Sequence, residues 1–343
     1  MRAMILRRLC DLDRCEEPLE PVELPDPEPG PGEVLVRVAA CGVCHTELDE
    51  IEGRAPPPRL PVVPGHQAVG RIERLGPGAR RHASGDRVGV GWIYSACGEC
   101  RFCRAGDDNL CSAFRATGRD ADGGYAELLR VPERYAFPIP ERFGDAEAAP
   151  LLCAGAVGYR SLRLAGIRDG MRLGLTGFGA SGHLVLKMAR SRYPRSPVFV
   201  FARTAEERAF ALEIGAAWSG DIGDEPPGEC DAIIDTTPVW RPAVEALERL
   251  APGGRLVINA IRKEDADKGS LLDIEYERHL WMEKEIKSVA NVAGRDIEEF
   301  LRLAAAIPII PEIEIFPLEE ANRALLEIRK RRIRGAKVLV TGK

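Results

Sequence analysis

Residues 171–182 read Met-Arg-Leu-Gly-Leu-Thr-Gly177-Phe-Gly179-Ala-Ser-Gly182, and the next eight read His-Leu-Val-Leu-Lys-Met-Ala-Arg. An apolar run, a G-x-G-x-x-G and then apolar positions at helical spacing predict a strand, a tight turn and a helix in succession. The glycine pattern is weak alone; between a strand and a helix it is a strong signal for dinucleotide binding. Gly177, Gly179 and Gly182 would permit the sharp turn and the close approach of a pyrophosphate to the helix N-terminus.

The chain downstream keeps the same rhythm. Val198-Phe-Val-Phe-Ala202 predicts the next strand and residues 205–212 the next helix. Residues 231–236 read as a strand, 241–250 as a helix, Gly253-Gly254 as a turn and 255–260 as another strand. This alternation predicts a parallel, doubly wound sheet. NAD-binding folds place an acidic residue at the end of the second strand, against the ribose 2′-hydroxyl. Here that place holds Ala202, followed by Arg203 and Thr204, which would accept a 2′-phosphate. The expected cofactor is therefore NADP(H) rather than NAD(H).

Upstream the style changes. Short strands at 33–40, 70–75 and 87–90 are broken by Pro- and Gly-rich turns, which predicts a mainly β domain. A helix at 296–306 and a strand at 336–341 return to that style. The expected organisation is a catalytic domain from 1–151 and 294–343, with a dinucleotide-binding domain at 152–293 inserted between. The proline-rich stretches 21–31 and 56–64 read as turns and loop.

The chain has 343 residues with a net charge of −5, which argues against a general nucleic-acid binder. No apolar run approaches the roughly 18 residues needed to cross a bilayer, and residues 1–8 lack a secretory h-region. A cytoplasmic protein is expected. Of 48 basic residues only eight are lysine, and Gln67 is the sole glutamine. Arg-rich, amide-poor composition fits either heat adaptation or a GC-rich genome.

Ten cysteines carry the second strong signal. Cys97, Cys100, Cys103 and Cys111 form C-x2-C-x2-C-x7-C, whose four thiolates can close a tetrahedral shell around a structural zinc ion. A second set, Cys44-His45, Gly65-His66 and Cys153, is scattered. By residue chemistry alone each is more often a core cysteine or a surface histidine than a ligand, and no short spacing ties them together.

Together these motifs resemble the zinc-dependent alcohol dehydrogenases of the medium-chain dehydrogenase/reductase superfamily. The resemblance rests on Cys44-His45-Thr46-Glu47, Pro64-Gly65-His66, Gly85-Asp86-Arg87-Val88, the four-cysteine loop, Leu152-Cys153-Ala154-Gly155 and the Gly177–Gly182 turn. Details at 151–155 and 202–204 look nearest to the bacterial, cinnamyl-alcohol-dehydrogenase-like branch. It implies a GroES-like catalytic domain with a Rossmann cofactor domain, two zinc ions per chain and a homodimer or homotetramer. It implies a catalytic zinc on Cys44, His66 and Cys153, with Thr46 taking the hydroxyl proton, His45 beside the pyrophosphate and Glu47 orienting His66. Two positions depart from the family pattern. Gln67 stands where a glutamate is usual. Asp49 stands where many relatives carry a relay histidine, and it is either a relay carboxylate or a solvated surface residue.

Trp92 would narrow the pocket beside zinc. The expected substrate is a small primary alcohol or aldehyde. An NADPH-favouring aldehyde reductase, a polyol dehydrogenase and a non-catalytic nucleotide-sensing zinc protein are the alternatives.

Overall fold

The computed structural model describes residues 1–330 and 335–342. The chain divides into two compact units, one of residues 1–156, 292–305 and 310–343, the other of residues 157–291 and 306–309. No helix among the described residues is long and apolar enough to cross a membrane.

In the first unit the spine is the 11-residue strand Glu33–Val43. Val34, Leu35 and Val36 are all fully buried, so it is covered on both faces and shows no clean polar/apolar alternation there. It pairs antiparallel with Ala68–Leu75, with Leu128–Pro132 and, along its last four residues, with Ala336–Val340. Among the described residues the sheet runs Ile313–Pro317, Ala336–Val340, Glu33–Val43, Ala68–Leu75, Arg87–Val90, Ala136–Pro138. The spine extends past the expected end at residue 40 because Cys41, Gly42 and Val43 find partners in Leu339, Val338 and Lys337. Those partners come from the far end of the sequence, and on the other edge Cys41 also faces Ala68. Three expected loop residues are also strand residues: Pro21, Val22 and Glu23 lie in Glu20–Glu23, with Pro21 opposite Met4 of Arg2–Ile5. That strand is the edge of a two-stranded ribbon, where proline's missing N–H costs no ladder bond.

The second unit is a six-stranded parallel sheet, in the order Trp218–Gly220, Val198–Phe201, Leu173–Thr176, Cys230–Asp235, Leu250–Ile258, Glu285–Ser288. Numbered within the unit this is 3-2-1-4-5-6, the doubly wound dinucleotide order, with its switch point between Leu173–Thr176 and Cys230–Asp235. Phe199, Phe201, Ile233, Leu247 and Leu256 form a fully buried core. Each such side chain contributes about 1.5–3 kcal/mol relative to exposure. The expected turn at Gly253-Gly254 is an irregularity inside the strand Leu250–Ile258. Cys230 faces Leu250 while Ala232 faces Arg255, so the extra residues bulge out, with Gly253 at φ 71°.

Candidate active site and metal centres

The helix His45–Ile51 follows directly from the spine strand. Cys44 is its N-cap, and its sulfur accepts the Thr46 N–H at 3.4 Å. Glu47 completes a capping box by accepting the Cys44 N–H at 2.9 Å. Fully buried, Glu47 has its other oxygen 2.6 Å from His66 Nδ1. That contact puts the imidazole proton on Nδ1 and leaves Nε2 as the free donor atom. One carboxylate therefore both starts the helix and aims the histidine.

His66 sits at the end of a turn made possible by Gly65, whose φ is +97° and whose Cβ would collide with the Tyr125 ring. His66 Nε2 lies 3.5 Å from Cys44 Sγ and 3.2 Å from Cys153 Sγ. Ligands about 2.0–2.3 Å from a tetrahedral zinc stand roughly 3.5 Å apart, so the set fits that ion. The electrostatics agree. Burial alone would lower the His66 pKa, but the Glu47 and Cys44 charges raise it well above the usual histidine value. The hydrogen bond with Cys153, burial and the Glu47 charge hold the Cys44 thiol well above its usual value. In the metal-free protein, protons thus collect where the site calls for positive charge.

Other expected site residues fall around this cluster. Trp92 is buried and meets the His66 ring edge-on, centroids 5.0 Å apart. Thr46 is buried, one residue beyond the partly exposed His45. Gln67 is buried with Nε2 lacking a protein partner among the described residues. Asp49 corrects one expectation: it is not a solvated surface residue. Its side chain is 2 % exposed, with Oδ1 2.6 Å from Arg54 Nε and 3.9 Å from His45 Nε2.

The four-cysteine loop closes on itself. Sulfur separations are 3.5 Å for Cys97–Cys111, 3.6 Å for Cys100–Cys103 and 3.8 Å for Cys97–Cys103. Four thiolates at 2.3 Å from one zinc lie roughly 3.8 Å apart. Backbone N–H groups of Glu99 and Cys100 pull the Cys97 thiol down to about 6, while burial pushes Cys103 up to about 12. The loop is anchored through Asp107, paired with Arg295 at 2.5 Å, and Asp108, which accepts the Gly294 N–H at 2.9 Å.

Residues 30–141 match the alcohol dehydrogenase GroES-like domain. The chain is 42% identical over 328 residues to the probable alcohol dehydrogenase AdhA of Mycobacterium tuberculosis, covering 94% of this chain and 93% of the relative. It is 33% identical over 340 residues to an alcohol dehydrogenase of Geobacillus stearothermophilus, covering 96% and 98%. The chain belongs to the zinc-dependent alcohol dehydrogenases of the medium-chain superfamily. A solved NAD-dependent alcohol dehydrogenase superposes on this dehydrogenase with a TM-score of 0.88 at 25% identity, covering 100% of both chains. A cobalt- and zinc-bound thermostable alcohol dehydrogenase from Pyrobaculum aerophilum gives 0.86 at 25%, covering 99% of each.

In the dehydrogenase's second unit, Gly177 (φ +80°) ends the first strand and Gly179 caps the helix Ala180–Arg192. A Cβ on Gly182 would stand 2.7 Å from the Gly177 carbonyl oxygen. Ala202 ends the second strand, buried, its N–H bonded to the Gly220 carbonyl at 2.9 Å. Arg203 is exposed. Thr204 is committed elsewhere: its hydroxyl caps the helix Ala205–Glu213 and bonds Glu207 at 3.1 Å.

Sequence reasoning missed three residues. Arg54 anchors Asp49. Arg208 Nη1 donates to the Ala202 and Arg203 carbonyls, both at 2.9 Å. Lys263 is buried in an ion pair with Asp235 and donates to the carbonyls of Thr237 (2.9 Å) and Val239 (2.7 Å). A signal for Lys263 existed. In a chain that uses arginine almost throughout, a retained lysine marks a place for a compact three-donor cation; buried Lys337, held by Glu314 and Glu327, is a second case.

Proposed function

We propose that this dehydrogenase interconverts a small primary alcohol and its aldehyde with NADP(H), using one zinc on Cys44, His66 and Cys153 and a structural zinc on the four-cysteine loop. The convergence of those three residues from separate loops, with His66 aimed by buried Glu47, carries the reading. When bound, zinc supplies the Lewis acidity that makes an alcohol hydroxyl acidic near neutral pH, and the nicotinamide supplies the hydride chemistry.

The chain's own residues do the rest. Cys44 and Cys153 balance the ion's charge. The Thr46 hydroxyl receives the substrate proton. Asp49, fixed by Arg54, steadies His45 on the proton's way out. Trp92, held against His66, limits the width of the substrate. Gly177, Gly179 and Gly182 open the turn to a pyrophosphate, and Arg203 pairs with a 2′-phosphate.

NAD(H) is the competing reading, favoured by the Glu207 carboxylate beside Thr204. The strand Glu285–Ser288 is a sheet edge flanked by exposed Trp281 and Met282, with Ile286 also exposed. That edge supports a homo-oligomer. Two thiol-rich metal-ligand clusters fit a reducing, cytoplasmic setting.

The deciding experiment is a kcat/KM screen of alcohols and aldehydes with both cofactors, together with metal analysis. NADP(H) preference and two zinc ions support the proposal. NAD(H) preference, or a ratio unchanged by Arg203→Ala, overturns the cofactor assignment.

A further inference from the structure

The stretch between Cys103 and Cys111 in the four-cysteine loop is tied to the start of one helix, Gly294–Ala306. Arg295 Nη1 donates to the Ala105 carbonyl at 2.9 Å, and Nη2 donates to Asp107 at 2.5 Å. The Arg295 side chain lies over Gly106, where a Cβ would stand 3.0 Å from Arg295 Cδ. The Gly294 N–H donates to buried Asp108 at 2.9 Å. Backbone bonds join the same stretch to the ligand positions. Gly106 N–H donates to the Cys103 carbonyl at 3.1 Å, and Cys111 N–H donates to the Asp108 carbonyl at 3.1 Å. Fixing the four sulfurs therefore fixes the first turn of this helix.

The helix leads from there to the catalytic cluster. Ile297, Phe300, Leu301 and Ala304 recur at helical spacing, and all are buried. A Cβ on Gly91 would stand 2.6 Å from Ile297 Cδ1 and 3.0 Å from the Leu152 carbonyl oxygen. Gly91 precedes Trp92, and Leu152 precedes Cys153. A Cβ on Gly155, two residues past Cys153, would collide with the Phe300 ring. The two glycines let the helix rest directly on backbone beside Trp92 and Cys153. A close-packed interior has no slack to absorb a shift, so a displacement of Ile297 or Phe300 is passed on to that backbone.

We infer that Asp108 and Arg295 are positioning residues for the catalytic cluster, acting through the helix Gly294–Ala306 on Trp92 and Cys153. The inference rests on the reading of Cys44, His66 and Cys153 as the catalytic zinc site. Neither residue touches metal or substrate in this scheme; what they hold is the helix. The four-cysteine loop thereby has a task beyond its own fold: it sets the seat of a thiolate ligand in the other centre.

The test uses protein with zinc in the four-cysteine loop and cobalt(II) exchanged into the catalytic site, with metal analysis confirming the pair. The cobalt–thiolate absorption, weakened by Cys153→Ser, reports the geometry around that sulfur. Arg295→Met is expected to shift this band and to lower kcat roughly tenfold, with the cofactor KM unchanged. Asp108→Ala should do the same. Asp108→Asn, whose amide oxygen still accepts the Gly294 N–H, should keep the original band and rate. Arg142→Met is the stability control, because Arg142 donates to the Ala305 carbonyl at 2.8 Å, at the opposite end of the helix. It should lower the melting temperature and leave the band in place. An unmoved band in Arg295→Met overturns the inference, as does an equal shift in Arg142→Met or Asp108→Asn. Absence of any cobalt–thiolate band in the unmutated protein overturns the catalytic-site reading itself, and this inference with it.

Discussion

Removing the Lys263 ammonium is expected to destabilise the nucleotide-binding unit more than any surface change could. Asp235 is fully buried at the end of its strand, and the Lys263 side chain is 6 % exposed. Lys263→Met leaves a buried carboxylate without its counter-ion, a change that costs about 3–5 kcal/mol. Asp235 keeps three other donors: the Thr176 hydroxyl at 2.6 Å, the Thr237 hydroxyl at 2.7 Å and the Thr237 N–H at 3.2 Å. These place the cost at the lower end, about 3 kcal/mol, or on the order of 100-fold in the opening equilibrium.

Two units in one chain make a single melting curve ambiguous, so the measurement is local. Hydrogen exchange of the strands Leu173–Thr176 and Cys230–Asp235 reads this unit alone. Asp235→Asn with Lys263→Met removes both charges and should restore protection to within about 1 kcal/mol of the unmutated protein. Cofactor affinity should weaken alongside, because the neighbouring Thr236 hydroxyl bonds the carbonyls of Thr176 (3.0 Å) and Gly177 (3.3 Å) at the glycine turn. A cost under about 1 kcal/mol for Lys263→Met, or simple additivity in the double variant, would refute the argument.

Cys103→Ser should lower the melting temperature and release one zinc ion, whereas Cys153→Ser should abolish turnover with little change in melting; metal analysis and calorimetry of both variants check the pair. Zinc affinity at the catalytic site should rise with pH. The His66 pKa is raised in the metal-free protein, so its ion pair with Glu47 stabilises that form below about pH 6.5 and is lost as pH climbs through the raised value. Chelator competition from about pH 6 to about pH 8 should show this slope, and Glu47→Gln, which removes a raising charge, should flatten it. Trp281→Glu with Ile286→Lys should reduce the mass measured by light scattering; an unchanged mass removes the edge strand from any interface.

The four-cysteine loop was legible because its ligands are local, all within fifteen residues. So was the nucleotide unit, whose strand-turn-helix units repeat in order along one stretch. The catalytic cluster was not legible from spacing: Cys44, His66 and Cys153 are 22 and 87 residues apart and became a set only through the family resemblance. Asp49 was misjudged in one of its two readings because Arg54, five residues on, turns back to cover it. A helix-period reading does not show that return. Lys263 and Asp235 lie 28 residues apart and meet only because the sheet places the Cys230–Asp235 strand beside the loop that follows Leu250–Ile258.

The pairing of the strand Glu33–Val43 with Ala336–Val340 has a consequence for how the protein is made. At 5–20 residues per second, roughly 15–60 s separate the synthesis of these two strands. The six strands of the nucleotide unit all lie within residues 157–291 and can be complete before the last strand exists. For that interval, Ala40–Val43 presents one unpaired edge just ahead of Cys44, its other edge lying against the strand Ala68–Leu75. The nascent chain thus carries an open sheet edge next to metal-seeking thiols, and it needs protection from neighbouring chains until its own C-terminal strand arrives.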